Sequence, residues 1–156
     1  MKHWTEEIQL REDLMTCIRD ILMEKGIQVT TVSPEETVQK AAAVLSRLGI
    51  GALPVIQDGA LVGIISERDI AYSVGVKGVR TSTRKVRELM SGNPKTCSPE
   101  EPVEEVLERM NQRRIRHLPV MEGDKLAGIV SIRDLVRVRL GAALAEADQL
   151  REYIQN

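Results

Sequence analysis

Residues 63–69 read Gly-Ile-Ile-Ser-Glu-Arg-Asp, and residues 128–134 read Gly-Ile-Val-Ser-Ile-Arg-Asp. Packing needs the glycine and the aliphatic residues. A core has no use for a serine and an aspartate kept twice at the same spacing. Working outward from this pair, residues 33–69 align with residues 98–134 without a gap at an offset of 65, and 15 of 37 positions are identical. A shorter echo lies upstream, where Ile18-Arg19-Asp20-Ile21-Leu22 matches Val86-Arg87-Glu88-Leu89-Met90 at an offset of 68. The chain is an internal duplication, and a repeat constrains the architecture before any single element does.

Each copy carries the same order of signals. Ser33-Pro34-Glu35-Glu36 and Ser98-Pro99-Glu100-Glu101 have the pattern of a helix start, with a capping serine, a proline in the first turn and acids facing the positive helix end. Val38, Ala41, Ala42, Leu45 and Leu48 then recur at helical spacing, as do Val103, Val106, Leu107 and Met110. A short strand follows (52–56 or 117–121), then a tight turn at Asp58-Gly59 or Gly123-Asp124. A second strand (61–66 or 126–131) runs into another helix beginning near Ser66 or Ser131. Residues 28–32 and 94–97 are predicted as a third strand ahead of the first helix.

One such unit has too little core to stand alone comfortably. The expected fold is therefore α/β (α+β), with two β-α-β-β-α repeats packed about a pseudo-twofold axis. The predicted boundaries are a tail at 1–13, a first repeat at 14–75, a linker at 76–85, a second repeat at 86–138 and a C-terminal helix at 139–156. In that last region Val136, Leu140, Leu144, Ala147, Leu150 and Ile154 step by three or four and form one amphipathic stripe. A helix of this length outlasts the repeat. It suits a contact with a second subunit; the alternative is a helix folded back on its own domain.

Composition removes several functional classes. Among 156 residues, 22 Lys and Arg stand against 23 Asp and Glu, a net charge of -1. That balance lacks the basic footprint of a duplex-binding domain. With one Trp, two Tyr and no Phe, stacking platforms for single strands are not expected either. No apolar run is long enough for a bilayer, and the first residues lack the apolar core of a signal peptide, so a cytoplasmic protein without a membrane partner is expected. Cys17 and Cys97 are too few and too far apart for a disulfide framework or a zinc site, and no metal is expected.

The duplicated Leu-Pro-Val strand, the Gly-x-x-Ser-x-x-Asp strand end, the Ser-Pro-Glu-Glu segment and the Val86–Met90 linker resemble the CBS (cystathionine-β-synthase) domain family, over about residues 14–138. The resemblance is nearest to small stand-alone bacterial CBS-pair proteins. It implies clefts between paired repeats that take adenosine-containing ligands: AMP, ADP or ATP, with NAD(H) or S-adenosylmethionine as alternatives. It also implies a homodimer, an unidentified regulated protein partner, no required cofactor and no catalysis by the module itself.

On that resemblance Asp69 and Asp134 match the family's ribose-binding aspartate. A carboxylate accepts from both vicinal hydroxyls, and charge-assisted bonds are the stronger kind. Ser66 and Ser131 stand where a strand ends and a helix begins, so their hydroxyls and free backbone N–H groups suit a phosphate. The competing reading is helix capping, because Ser66 with Asp69 and Ser131 with Asp134 have cap-box spacing. Ile64 and Ile129 match positions that line the adenine pocket, or are plain core. Thr31 and Thr96 match a strand position that contacts the nucleoside, or are ordinary strand residues. Arg116 and His117 precede the second Leu-Pro-Val strand, where family members place cations for phosphate, and His117 gains charge near pH 6.5. The first copy has Gly51 and Ala52 there. Arg68 and Arg133 recur between serine and aspartate and serve either cleft or the solvent. The two clefts are therefore expected to be unequal.

The leading functional expectation is a nucleotide-sensing regulatory module. The alternative is a scaffold with vestigial clefts, working through its C-terminal helix. An enzyme is disfavoured, since the sequence has no phosphate-binding glycine loop, no His-Cys-acid cluster and no metal spacing.

Overall fold

Helices form where the apolar stripes lie, and each strand pair closes over a turn that the sequence marks. The computed structural model describes residues 17–26 and 28–155; the predicted tail at 1–13 lies outside them. In chain order the helices are α1 (Ile18–Lys25), α2 (Val38–Leu48), α3 (Glu67–Lys77), α4 (Val103–Arg113) and α5 (Ile132–Gln155). The strands are β1 (Ala52–Gln57), β2 (Ala60–Ser66), β3 (Ser91–Gly92), β4 (His117–Glu122) and β5 (Lys125–Ser131). The α/β architecture with two similar halves and a long C-terminal helix matches the expectation. At 24 residues, α5 runs to about 36 Å.

β1 and β2 form an antiparallel pair from Ala52↔Ser66 to Gln57↔Ala60, with an irregularity between Val55 and Ile56. Their turn places Asp58 at φ 49 and Gly59 at φ 79. Two successive positive φ values suit the right-handed twist of the flanking strands, and Asp-Gly is among the pairs that tolerate them. β3 extends this sheet through Gly63↔Gly92 and Ile64↔Ser91, whereas β4 and β5 form a sheet of two.

Two local expectations are corrected. The predicted third strand does not form. Val32 alone makes a parallel bridge to Val55, and residue 97 is likewise an isolated bridge position. Pro94 lacks the N–H that a ladder needs, and Gln28, Thr30, Thr31, Lys95 and Thr96 are exposed, so nothing drives longer pairing. The Ser-Pro-Glu-Glu segments also precede the helices instead of opening them. The Glu36 carboxylate accepts from Ser33 N at 2.9 Å, and Glu101 accepts from Ser98 N at 2.6 Å, closing a turn in each copy. The first helix then begins at Val38, where the Thr37 hydroxyl accepts from Lys40 N at 3.3 Å.

The chain divides into two compact units that do not follow the repeats. One holds Gln28–Thr96 with Pro119–Ile129. Its core joins Val32, Ala41, Leu45, Leu53, Val55 and Ile65 of the first copy to Val86, which leads into the second. The other holds the described residues of Met1–Ile27 with Cys97–Leu118 and Val130–Asn156. There α1, which precedes the first copy, supplies buried Ile18 and Ile21 to a unit that also buries Val103, Val106, Met110, Leu135 and Val138.

The backbone shows how this exchange is made. Val86 N donates to Glu36 O at 2.9 Å and Arg87 N to Pro34 O at 3.1 Å. In the other unit Ile18 N donates to Glu101 O at 3.1 Å and Arg19 N to Pro99 O at 2.8 Å. Ion pairs repeat the pattern, Arg87 with Glu35 and Arg19 with Glu100. Each lead-in segment thus completes the repeat that it does not precede.

Candidate functional site

The recurring serine and aspartate close a ring at the first turn of a helix in both copies. Asp69 Oδ2 accepts from Ser66 N at 2.8 Å and from Ser66 Oγ at 2.7 Å, while Asp69 N donates to Ser66 Oγ at 3.2 Å. In the second copy Asp134 Oδ2 accepts from Ser131 N at 2.8 Å, and Asp134 N donates to Ser131 Oγ at 3.2 Å. This is the capping geometry, and it satisfies helix N–H groups that would otherwise lack partners. It also holds both carboxylates half-buried at fixed positions, with the recorded bonds converging on Oδ2.

The first helical N–H is taken as well. Glu67 N donates to Gly51 O at 3.0 Å, and Ile132 N donates to Arg116 O at 2.8 Å. The expectation of several free N–H groups for a phosphate is thereby narrowed, since those of residues 66, 67 and 69 and of residues 131, 132 and 134 are all taken. These helix starts favour a carboxylate-centred contact over an anion cradle.

The other candidate residues separate by burial. Ile64 and Ile129 are half-buried, next to fully buried Ile65 and Val130. The period-two alternation of a strand puts them on the face away from that core. Thr31 and Thr96 are exposed, as are Arg68, Arg133 and Arg116, while His117 is half-buried as the first residue of β4. Thr31, Ile64, Ser66, Arg68 and Asp69 belong to one unit. Arg116, His117, Ser131, Arg133 and Asp134 belong to the other, and Thr96 and Ile129 fall with the first group.

One residue of the site was not anticipated. Lys25, the last residue of α1, donates from Nζ to Asp134 Oδ2 at 2.7 Å. Burial raises the pKa of Asp134, but the Lys25 ammonium and the Ser131 amide together hold it below the ordinary aspartate value. Beside this contact Glu24 pairs with Arg137 of α5 at 2.6 Å, so the end of α1 is tied to α5 twice.

Cys97 is buried, and burial with the nearby Glu101 pushes its thiol up to about 12, so it is protonated at neutral pH. No group of three metal-ligating side chains exists among the described residues, and no described helix is long and apolar enough to cross a membrane.

Comparison with known proteins places this geometry in context. The profile of the CBS domain matches residues 18–75 and 86–141. The CBS domain-containing protein YhcV of Bacillus subtilis is 36% identical over 121 residues, which covers 78% of this chain and 84% of that protein. The crystal structure of a CBS-domain containing protein from Agrobacterium tumefaciens superposes with a TM-score of 0.76 at 37% identity, covering 80% of this chain and 93% of that one. The CBS domain pair of protein MJ0100, solved in complex with 5-methylthioadenosine and S-adenosyl-L-methionine, superposes with a TM-score of 0.69 at 27% identity, covering 81% of this chain and 98% of that one.

Proposed function

The chain belongs to the CBS-domain family as a tandem pair, and from that premise we propose that it is a non-catalytic regulatory module whose ligand is an adenine nucleotide. The observation that carries the reading is the pair of ring-held carboxylates. Asp69 and Asp134 stand at matching helix starts, each fixed by its own serine, and each has a half-buried isoleucine two residues before that serine. A pre-positioned carboxylate loses little freedom on taking a ribose diol, and a strand-borne aliphatic side chain suits the face of a base. The relative solved with two adenosyl compounds lends support. AMP, ADP and ATP are the favoured ligands, ahead of NAD(H) and S-adenosylmethionine, because Arg116 and Lys25 are cations in the unit that holds Asp134.

Thermal denaturation with AMP, ADP, ATP, NADH and S-adenosylmethionine tests this directly. A ligand at one hundred times its Kd should add about 2.7 kcal/mol of stability. The double variant Asp69→Asn with Asp134→Asn retains a carbonyl oxygen for the cap and should melt near the parent, yet lose the ligand-induced shift. Flat curves for the parent with all five compounds would sink the reading.

The second copy of the assembly is proposed to dock on α5. Val136, Leu140, Leu144, Leu150 and Ile154 are about half exposed or more, on the side of the helix opposite buried Leu135, Val138 and Gly141. Arg137 and Arg139 lie in the first half of this stripe, Glu146 and Asp148 in the second. Antiparallel pairing of two copies about Ala143 would set basic halves against acidic ones and join the apolar stripes. Light scattering is expected to give twice the chain mass for the parent and the single mass for Leu140→Glu with Leu144→Glu. A monomeric parent refutes the dimer.

A further inference from the structure

We propose that Arg113 and Arg114, at the end of α4, form a docking surface for an acidic segment of a partner protein. Both are exposed, as is Arg116 two residues on, and none of the three pairs with a carboxylate among the described residues. By contrast Arg109 on the same helix pairs with Glu101 at 2.7 Å, and Arg139 of α5 pairs with Glu104 at 3.1 Å. Neither Arg113 nor Arg114 is among the residues assigned to the nucleotide, so this surface stands or falls apart from that reading.

Ending the helix does not require these arginines. α2 and α4 close with the same cap: Gly49 N donates to Ser46 O at 3.3 Å and Ile50 N to Leu45 O at 3.1 Å, while Arg114 N donates to Asn111 O at 3.2 Å and Ile115 N to Met110 O at 2.9 Å. The cap residue is left-handed in both, with φ 62 at Gly49 and 54 at Arg114. Glycine adopts this conformation freely, whereas a Cβ crowds the following carbonyl. Asp58 and Asn93, the other described non-glycine residues at positive φ, have short polar side chains that tolerate it. Arginine lacks that relief, so the second copy carries a strain that the first avoids. The last-turn carbonyls of Met110 and Asn111 are already taken by the cap, which leaves the guanidinium groups no task there. The first copy has no cation at any of the three matching positions, Leu48, Gly49 and Gly51. Strain kept at one copy alone points to a use for the side chain.

Adjacent guanidinium groups match carboxylates, which each can hold through two parallel bonds. An acidic protein segment fits the patch better than other polyanions do. Exposed Glu104, Glu105 and Glu108 on the same helix would repel a nucleic-acid backbone running past the arginines, and duplex binding draws on several phosphate contacts at once. The exposed neighbours Asn111 and Gln112 are polar and supply no apolar anchor, which a stable lipid contact needs beside charge.

Fluorescence anisotropy of the full chain with a labelled octaglutamate peptide at low ionic strength tests the assignment. The parent is expected to bind, and Arg113→Glu with Arg114→Glu to weaken binding at least about tenfold. Lys77→Glu with Arg80→Glu makes the same change in net charge on exposed residues of the other unit, and should leave affinity within about twofold of the parent. Arg114→Gly should melt no lower than the parent, because it relieves the left-handed cap, yet bind the peptide about threefold more weakly. That split excludes a folding defect as the cause. No binding by the parent, or equal losses in the two double variants, would overturn the surface. Tighter binding of a single-stranded oligonucleotide of equal charge, or of phosphatidylglycerol vesicles, through the same arginines would assign them to another class of partner and overturn the proposal as well.

Discussion

Ile18→Ala is expected to destabilise the unit built on the second repeat by about 2–5 kcal/mol. Ile18 is fully buried, and its amide donates to Glu101 O at 3.1 Å. Truncation removes transfer free energy and leaves a cavity in a unit whose other buried residues, Val103 and Val106 among them, lie far away in sequence. The neighbourhood is closed by backbone bonds on the same segment, so it has little scope to collapse. Met23 on the same helix is 74% exposed, and Met23→Ala should stay within about 0.5 kcal/mol of the parent. Urea denaturation of both variants checks this. A cost below about 1 kcal/mol for Ile18→Ala would mean that α1 does not complete that core.

The second large effect is expected at Gly63. A Cβ there would lie 2.6 Å from Met90 Sδ and 3.0 Å from the Ser91 carbonyl oxygen. The thioether end can rotate away at low cost. The carbonyl cannot, because Ser91 is held in the short β3 ladder against Ile64. Gly63→Ala should therefore cost about 1–3 kcal/mol through overpacking. Adding Met90→Ala should recover part of the loss by removing the nearer contact. Gly75 in α3 has nothing within 4 Å of its Cβ position, so Gly75→Ala should instead stabilise by about 0.5–1 kcal/mol. Thermal denaturation of the series decides the matter, and a neutral Gly63→Ala would show that β3 yields freely.

The duplication, the hairpins and the long last helix were legible because they depend on patterns local in sequence. The capping of Ser66 by Asp69 was legible too, since cap-box spacing spans a single turn. The Ser-Pro-Glu-Glu turns imitated helix starts because the same side chains that cap a helix also close a turn when the next residue stays extended. The short strands ahead of them failed for want of buried faces, a consequence of tertiary surroundings. Lys25 escaped notice for a different reason. A helix end and a carboxylate 109 positions apart meet only through the crossing of lead-in segments, and aligning the copies at a fixed offset reveals likeness without contact.

That crossing has a consequence for the order of folding. The first described helix of the chain finds its core partners in the last third, so it emerges early in synthesis and waits for the final segments before its apolar face is covered. The unit around Val86 depends on residues ending at 129 and can gather sooner. Contacts between distant ends make closure slow, because loop entropy is lost before the contacts form. A nascent chain would expose Ile18 and Ile21 throughout that interval, the period in which a newly made protein is most open to aggregation or to capture by a chaperone.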